Sequence, residues 1–431
     1  MSPVHRKQKT GKLCHLRQAL IAALLVLPLN DALANTPDNP AAAENTLGQA
    51  EISDQALQGY RDGITDLEAE YGPYHGQLSQ QLMSLGQQYR QQGLLDVARE
   101  ALQRAMHISR INSGLYSLEQ APILKELAQV NDLRRDWDSL DANQHYMYWI
   151  HKRNYGENDP RMLPVLNELG RWHLQAYEDH HNEGNAEHLL RAHDYHRQAI
   201  GIVSSHYGDL DPQLLDYLNS YTAINYYLAS HQMTLYQEVD RTDSARNLDM
   251  DNEDRRRLIQ YINNSYRNGK KSIDQTIRIH QHNEQASLVD KINAELAMAD
   301  WNLLFGRWHT ATELYKGIYN QLKTSLTPKL DADNLFAKPV PLPRLPDYDD
   351  AEHTHQSSGS SKDVSPYIVA TFDVSARGSA RNIEFVDEYP KENTQNRIDV
   401  RRTLKASKFR PRLEGGEPVQ TERFTQKFVF R

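Results

Sequence analysis

Gly72, Gly114 and Gly156 stand 42 residues apart, and the segments that follow them align without a gap. "LMSLGQQY" (82–89), "LKELAQVN" (124–131) and "LNELGRWH" (166–173) share Leu82/Leu124/Leu166 and Leu85/Leu127/Leu169, with small Gly86/Ala128/Gly170 next. Apolar residues three apart mark one face of a helix, and a small residue beside them lets a neighbouring helix approach closely. Pro122 and Pro164 fall in the first turns of their helices, where a missing N–H does no harm. One such unit cannot bury its apolar stripe alone, so neighbours must stack.

The second helix of each unit repeats as well. Gly93, Ala98 and Ala105 carry it in "QGLLDVAREALQRAM", and Ala192 and Ala199 match after a ten-residue insertion around "DHHNEGNAEH". Gly208 begins a fourth unit, with Leu218 and Tyr221 in the leucine slots, and "EVDRTDSARNLDMDNEDRRR" interrupts it. A fifth is compact: "AELAMADWNLLFGRWHTATELYKGIY" (294–319), with Ala299, Gly306, Trp308, Ala311 and Tyr315. In unit two, Leu140 and Met147 fill the alanine positions. Small–Gly–aromatic–Ala–aromatic at these offsets resembles the tetratricopeptide repeat (TPR) family, in a form longer than its ordinary unit of ~34 residues.

The resemblance covers roughly Gly59–Leu322 and implies a mainly α chain, with a TPR-type α-solenoid of helix hairpins over 59–326 that holds peptides or proteins on its concave face. The inward residues of the first helices would then be Gln80, Gln87 and Arg90, then Lys125, Gln129 and Asp132, then Asn167 and Arg171. As a set they are expected to form a polar partner-binding face of mixed charge.

The N-terminus reads as an export signal. "HRKQKTGKLCHLRQ" is basic, "ALIAALLVLPL" is apolar, and Ala32-Leu33-Ala34 gives an A-x-A cleavage pattern, so residues 1–34 are expected to be removed. A membrane anchor needs ~20 apolar residues, whereas Ala19–Leu29 supplies 11 and includes Pro28. No membrane span is therefore expected after cleavage. Loss of 1–34 removes five Lys/Arg and one Asp, which takes the net charge from −8 to −12. It also removes Cys14, the only cysteine, and with it disulfide and thiol chemistry. These features point to a Gram-negative periplasm, with 35–58 as an N-terminal linker.

"TPKLDADNLFAKPVPLPRLPDYDDAEHTHQSSGSSKD" (327–363) concentrates Pro, then acid, then Ser/Gly, and reads as a linker. His353 and His355 beside Asp349 and Asp350 have no scaffold to fix metal geometry, and the same holds for His180, His181 and His188. The tail, 364–431, changes language. Tyr367, Val369, Thr371 and Asp373 alternate with Ile368, Ala370, Phe372 and Val374, Ala376-Arg377-Gly378 turns the chain, and Ile383 and Phe385 belong to a second strand. "NTQNRIDVRRTLKASKF" reads as a helix with Ile398, Leu404 and Phe409 facing the sheet. "EGGEPVQTERFTQKFVF" reads as a hairpin return and a last strand with Phe424, Phe428 and Phe430 on one face.

This small α+β module, in the order β-β-α-β, resembles the TonB C-terminal domain family. Phe409, Pro411, Gly416, Pro418 and Val419 of "KFRPRLEGGEPVQ" carry the match. Family members pair a strand edge with a short peptide of an outer-membrane transporter, so the resemblance implies β-augmentation along Gln420–Phe430, with Val419 beside it. Energy transducers keep an uncleaved membrane helix and a Tyr-Pro-x-x-Ala stretch before the first strand; "KDVSPY" does not match the latter, and coupling to proton-motive force is not expected. From Ser365 to Arg431 there are 13 Lys/Arg and 9 Asp/Glu. Arg397, Arg401, Lys405 and Lys408 fall on one helix face, a basic face suited to an anionic surface.

There is no G-x-S-x-G, P-loop, H-E-x-x-H or Cys/His constellation. No catalytic site, cofactor, metal or nucleic-acid partner is therefore expected. The sequence favours a periplasmic protein–protein interaction protein whose partners are proteins of the periplasm or outer membrane, a TonB-dependent transporter among them. The alternatives are a TonB-type energy transducer with an uncleaved anchor, and an envelope-modifying enzyme with a site in 179–191 or 236–256.

Overall fold

The computed structural model describes residues 57–178, 185–239, 252–324, 331–342, 366–391 and 394–430. The segment 1–34, the first linker up to residue 56, the His353/His355 pair, and His180 and His181 lie outside the described residues. The chain is mainly helical, with a small C-terminal sheet region. It divides into two compact units, and the division falls between His173 and Leu174.

The first unit holds α1 (57–71), α2 (Gln77–Gln91), α3 (Leu95–Ser113), α4 (Ala121–Leu133), α5 (Trp137–Tyr155) and most of α6 (Leu163–Glu178). Helices consecutive in sequence pack on one another, α2 on α3, α3 on α4 and α4 on α5. The leucine slots are interior: Leu82, Leu85, Leu124, Leu127, Leu166 and Leu169 are all buried. Gly86 is small of necessity, since a Cβ there would lie 2.6 Å from Leu102 Cγ.

The 42-residue spacing is a spacing of backbone turns. Gly72, Gly114 and Gly156 end α1, α3 and α5 with φ of 87°, 84° and 89°, a region that side chains disfavour. Asn112 and Asn154 repeat a bridge: Nδ2 of Asn112 donates to the carbonyls of Tyr74 and Ile108 at 2.8 Å, and Nδ2 of Asn154 to those of Tyr116 and Ile150 at 2.7 Å. Ser117 and Asp159 then accept the N–H two residues on, from Glu119 and Arg161. The paired helices also share a turn. After α2, Gly93 takes φ 76° and the Leu94 N–H donates to Tyr89 O at 2.9 Å; after α4, Arg135 takes φ 56° and the Asp136 N–H donates to Asn131 O at 2.9 Å. This is a Schellman-type helix stop.

The second unit contains α7 (Asn185–Tyr207), α8 (Leu214–Val239), α9 (Asn252–His282), α10 (Leu288–Leu304) and α11 (Trp308–Thr324), then the C-terminal region. The fifth sequence unit is the α10–α11 pair, in which Ala299, Ala311 and Tyr315 are buried. Gly306 repeats the same stop with φ 74°, its follower Arg307 donating to Asn302 O at 2.8 Å. Insertion residues 185–191 are helical and belong to α7, where His188 is buried.

The stretch read as one linker is not uniform. Residues 331–342 form α12 (Ala332–Leu335) and β1 (Val340–Leu342), and Ala332, Phe336 and Leu342 join the core of α10 and α11. Burial of three apolar side chains outweighs the proline content that suggested an extended tether. Beyond it come β2 (Tyr367–Val374), β3 (Ala380–Tyr389), α13 (Thr394–Ala406), β4 (Lys408–Arg410), β5 (Arg412–Glu414), β6 (Glu417–Val419) and β7 (Thr421–Val429). The main sheet has three antiparallel strands in the order β3-β2-β7. Ile368, Ala370, Phe372 and Val374 of the central strand pack with Val400 and Leu404 of α13, and with Phe409 and Phe428.

Two expectations about this region are corrected. Ile398 does not face the sheet; it is 46% exposed, and Asp399, Val400, Thr403 and Leu404 form the inner face of α13. The helix ends at Ala406, so Phe409 is buried from a strand, where β4 pairs with β1. The expected hairpin return before the last strand is present: Val419 belongs to β6 and pairs with Arg412 across a turn whose Gly415 and Gly416 both take positive φ, 58° and 87°, as a tight two-residue turn requires.

Candidate partner-binding surfaces

The central strand β2 is flanked on both sides, so the edges of the main sheet are β3 and β7. The Phe430 N–H donates to Pro366 O at 2.8 Å, and the register pairs Ile368 with Phe428 and Ala370 with Gln426. Hydrogen-bonded and non-bonded pairs alternate along an antiparallel ladder. Even-numbered residues of β7 therefore spend their backbone groups on β2, while those of Thr425, Lys427 and Val429 point away from it. Among the described residues no strand pairs with that outer border. The side chains divide the other way. Phe424, Phe428 and Phe430 pack into the module's own core, so they hold the strand in place and only its outward backbone groups are left open along this border.

The two edges differ in regularity. The β2–β3 register shifts twice, while the β2–β7 register shifts once, between Phe372 and Val374. Asp373 sits between these irregularities. Its Oδ1 accepts the backbone N–H of Arg423 (φ 54°) at 3.0 Å, and its Oδ2 accepts Asn382 Nδ2 (φ 50°) at 2.7 Å. These two bonds, the Arg423 one first, hold its carboxyl below the usual range. Irregular edges resist pairing, which leaves Phe424–Val429 as the straighter open border.

The module is fixed to the last helix pair. Arg410 Nε donates to Asp300 Oδ1 at 2.9 Å and Nη2 to Oδ2 at 2.5 Å, while Tyr315 OH donates to Asp300 Oδ1 at 2.7 Å. Burial pushes the Arg410 guanidinium down, and the Asp300 carboxylate, by charge and hydrogen bond, more than reverses this and holds it above its ordinary value. Burial and then the neighbouring Asp300 charge push the Tyr315 phenol well up. Around this pair, Lys316 Nζ reaches Glu417 at 2.8 Å, Arg377 lies 4.4 Å over the Trp308 ring, and the Leu413 N–H donates to Phe336 O at 3.1 Å. Gly378 closes the β2–β3 turn against β4, where a Cβ would meet Phe409 O at 2.1 Å.

The expected basic face is only partly a surface. Arg397 is bidentate to buried Glu388, at 2.7 and 2.5 Å, and Lys408 lies in β4, off the helix, donating to Ser379 Oγ at 3.3 Å. Arg401 and Lys405 remain exposed and line a shallow cleft with Arg381 and Glu384.

In the first unit, Gln80 and Lys125 are exposed, and Gln129, Asp132, Asn167 and Arg171 are half-buried. Gln87 and Arg90 are engaged internally: Gln87 Nε2 donates to Glu126 Oε1 at 3.0 Å and Arg90 Nε to Oε2 at 3.2 Å. Glu126 was not among the residues expected on this face; its place beside Lys125 in the aligned block was the available signal.

Sequence reasoning also missed a polar cluster on α7, α8 and α9, in which His193, Tyr221 and Tyr261 are buried and Asp194 and Arg257 half-buried. Asp194 accepts from Tyr261 OH at 2.8 Å and is paired with Arg257, while His193 stacks on Tyr261 at 3.9 Å and meets Tyr221 OH at 2.8 Å through Nε2. Burial lowers the His193 pKa despite the adjacent carboxylate. The ring is closed in by these partners, which suits a structural role. Among the described residues, no group of three His, Cys, Asp or Glu is placed to hold a metal, and no helix is long and apolar enough to cross a membrane.

No model of a known protein family matches the chain, and no curated protein matches it.

Proposed function

We propose that the chain is an exported interaction protein of a Gram-negative periplasm. In this reading a TPR-type helical scaffold carries a TonB-like module, and that module captures an extended segment of an outer-membrane or envelope protein along β7. The observation that carries it is the outer border of β7, where the backbone groups of Thr425, Lys427 and Val429 point away from β2 and suit strand addition. The 42-residue recurrence of turns, caps and asparagine bridges supports the repeat reading. The β2-β3-α13-β7 order of the main sheet and its helix supports the module reading, with β1 and the short β4, β5 and β6 as additions.

The test is photo-crosslinking in the envelope of a producing cell, with a benzophenone side chain at exposed Val429. A discrete adduct with an outer-membrane protein is expected. It should persist in Lys427→Ala and vanish in Lys427→Pro, which removes the outward N–H and leaves the β2 ladder intact. An adduct that survives Lys427→Pro overturns strand capture. The mass of the mature chain is expected to place its start at Asn35; an intact N-terminus would favour the anchored transducer instead.

A further inference from the structure

The 42-residue register reveals a vacancy in the first unit. On α2, Tyr89 OH accepts from Arg61 of α1, from Nε at 3.1 Å and Nη2 at 2.9 Å, so two long side chains fill the space between them. One repeat later the same positions hold Asn131 and Gln103, both shorter. There a cleft of about 300 Å³ opens between α3 and α5, floored by Leu124, Leu127 and Asn131 of α4. That is the lower end of the range for ligand pockets.

The chemistry changes with the shape. Where the preceding repeat has Leu57 and Glu68, this one has Arg99 and Arg110, and His107 joins them on the cleft wall. No carboxylate lines the cleft among the described residues, in a chain of net charge −8. Asn131 is 2% exposed, and its Oδ1 has no hydrogen-bond partner among the described residues; the same is true of Arg99 Nε. A buried oxygen without a donor calls for one to be supplied. Arg99 rests 3.6 Å from Asp136, a loose pairing, and Arg110 is steadied over the Tyr146 ring at 4.9 Å. Eleven residues of helix separate the two arginines, about 16 Å along the axis.

We propose that this cleft binds an acidic peptide segment, with one carboxylate at Arg99, another at Arg110, and a peptide N–H donated to Asn131 Oδ1 between them. Charge complementarity selects the ligand, and the buried amide oxygen separates a peptide from a simple anion. The site is independent of strand capture at β7.

Calorimetric titration of the full chain with acetyl-Glu-Ala-Ala-Ala-Glu-amide tests it. Saturable binding is expected, at least tenfold weaker for the peptide with glutamine in place of both glutamates. Gln103→Arg with Asn131→Tyr restores the side chains of the preceding repeat and should refill the cleft, abolishing binding while circular dichroism stays unchanged. Arg110→Gln, at an exposed position, should weaken binding at least tenfold and decides the matter should the refilled variant fold poorly. Absence of saturable binding, equal binding of the glutamine peptide, undiminished binding by the folded refilled variant, or displacement of the peptide by sulfate at equal concentration would each overturn the proposal.

Discussion

Asp300 of α10 and Arg410 of β4, 110 residues apart in sequence, form a bidentate ion pair in which Arg410 is 3% exposed. Tyr315 of α11 supplies a third bond to the same carboxylate. A buried pair of this kind contributes little net stability relative to apolar residues, but losing one partner strands the other. Arg410→Met should therefore destabilise the second unit by about 3–5 kcal/mol. Asp300→Leu combined with Arg410→Met should recover much of that loss. Urea unfolding followed by tryptophan fluorescence reads this directly, because Trp301 and Trp308 lie on the same two helices. A loss below about 1 kcal/mol for Arg410→Met would show that the pair does not hold the module in place.

Phe336 provides a separate check on how the module is held. It is fully buried, its ring meets Tyr315 at 6.0 Å and Tyr319 at 6.3 Å, and its carbonyl accepts the Leu413 N–H. Phe336→Ala should cost about 3–5 kcal/mol in the same unfolding assay. A residue of an extended tether would show almost no effect.

The helical repeats were legible because their signal is local: leucines three apart, a small neighbour, and a glycine at most of the helix stops, Arg135 being an exception. The alternation of β2 was legible for the same reason, since Ile368, Ala370, Phe372 and Val374 all point inward. What escaped was long-range. Asp300 and Arg410 each look like an ordinary surface charge until the chain brings them together. Phe336 and Leu342 lie amid prolines and acids, where composition argues for a tether. Arg397 and Lys408 read as one basic stripe, although Glu388 and Ser379, remote in sequence, claim them separately. The inward face of the first helices was expected from the repeat resemblance, and Glu126 is the group that engages Gln87 and Arg90.

Arg135 is the irregular member of a repeated turn. Gly93 and Gly306 occupy the equivalent stops with φ of 76° and 74°, whereas Arg135 holds φ 56° with a side chain attached. Its own N–H still donates to Asp132 O at 2.9 Å, so the turn is intact and the side chain alone carries the strain. Arg135→Gly should stabilise the first unit by roughly 0.5–1 kcal/mol, the left-handed preference of glycine outweighing its greater freedom when unfolded. Thermal unfolding should register a small upward shift; a downward shift would mean that the Arg135 side chain makes a compensating contact.

His196 makes stability depend on acidity. Burial lowers its pKa to about 4, against a weaker opposing effect from the Nδ1 bond to Ala192 O at 2.9 Å, and nearby His193 is lowered in the same direction. Between about pH 6.5 and pH 4 the unfolded chain binds a proton at this residue that the folded one refuses. Stability is thus fully present above the ordinary histidine range and is lost as pH falls towards the folded value, by about 3 kcal/mol for His196 over the whole window. Urea unfolding at pH 7, 6 and 5 should show a progressive loss in the native chain. His196→Phe, which keeps the volume and removes the titrating ring, should flatten that slope; an equal slope in the variant would place the acid sensitivity elsewhere.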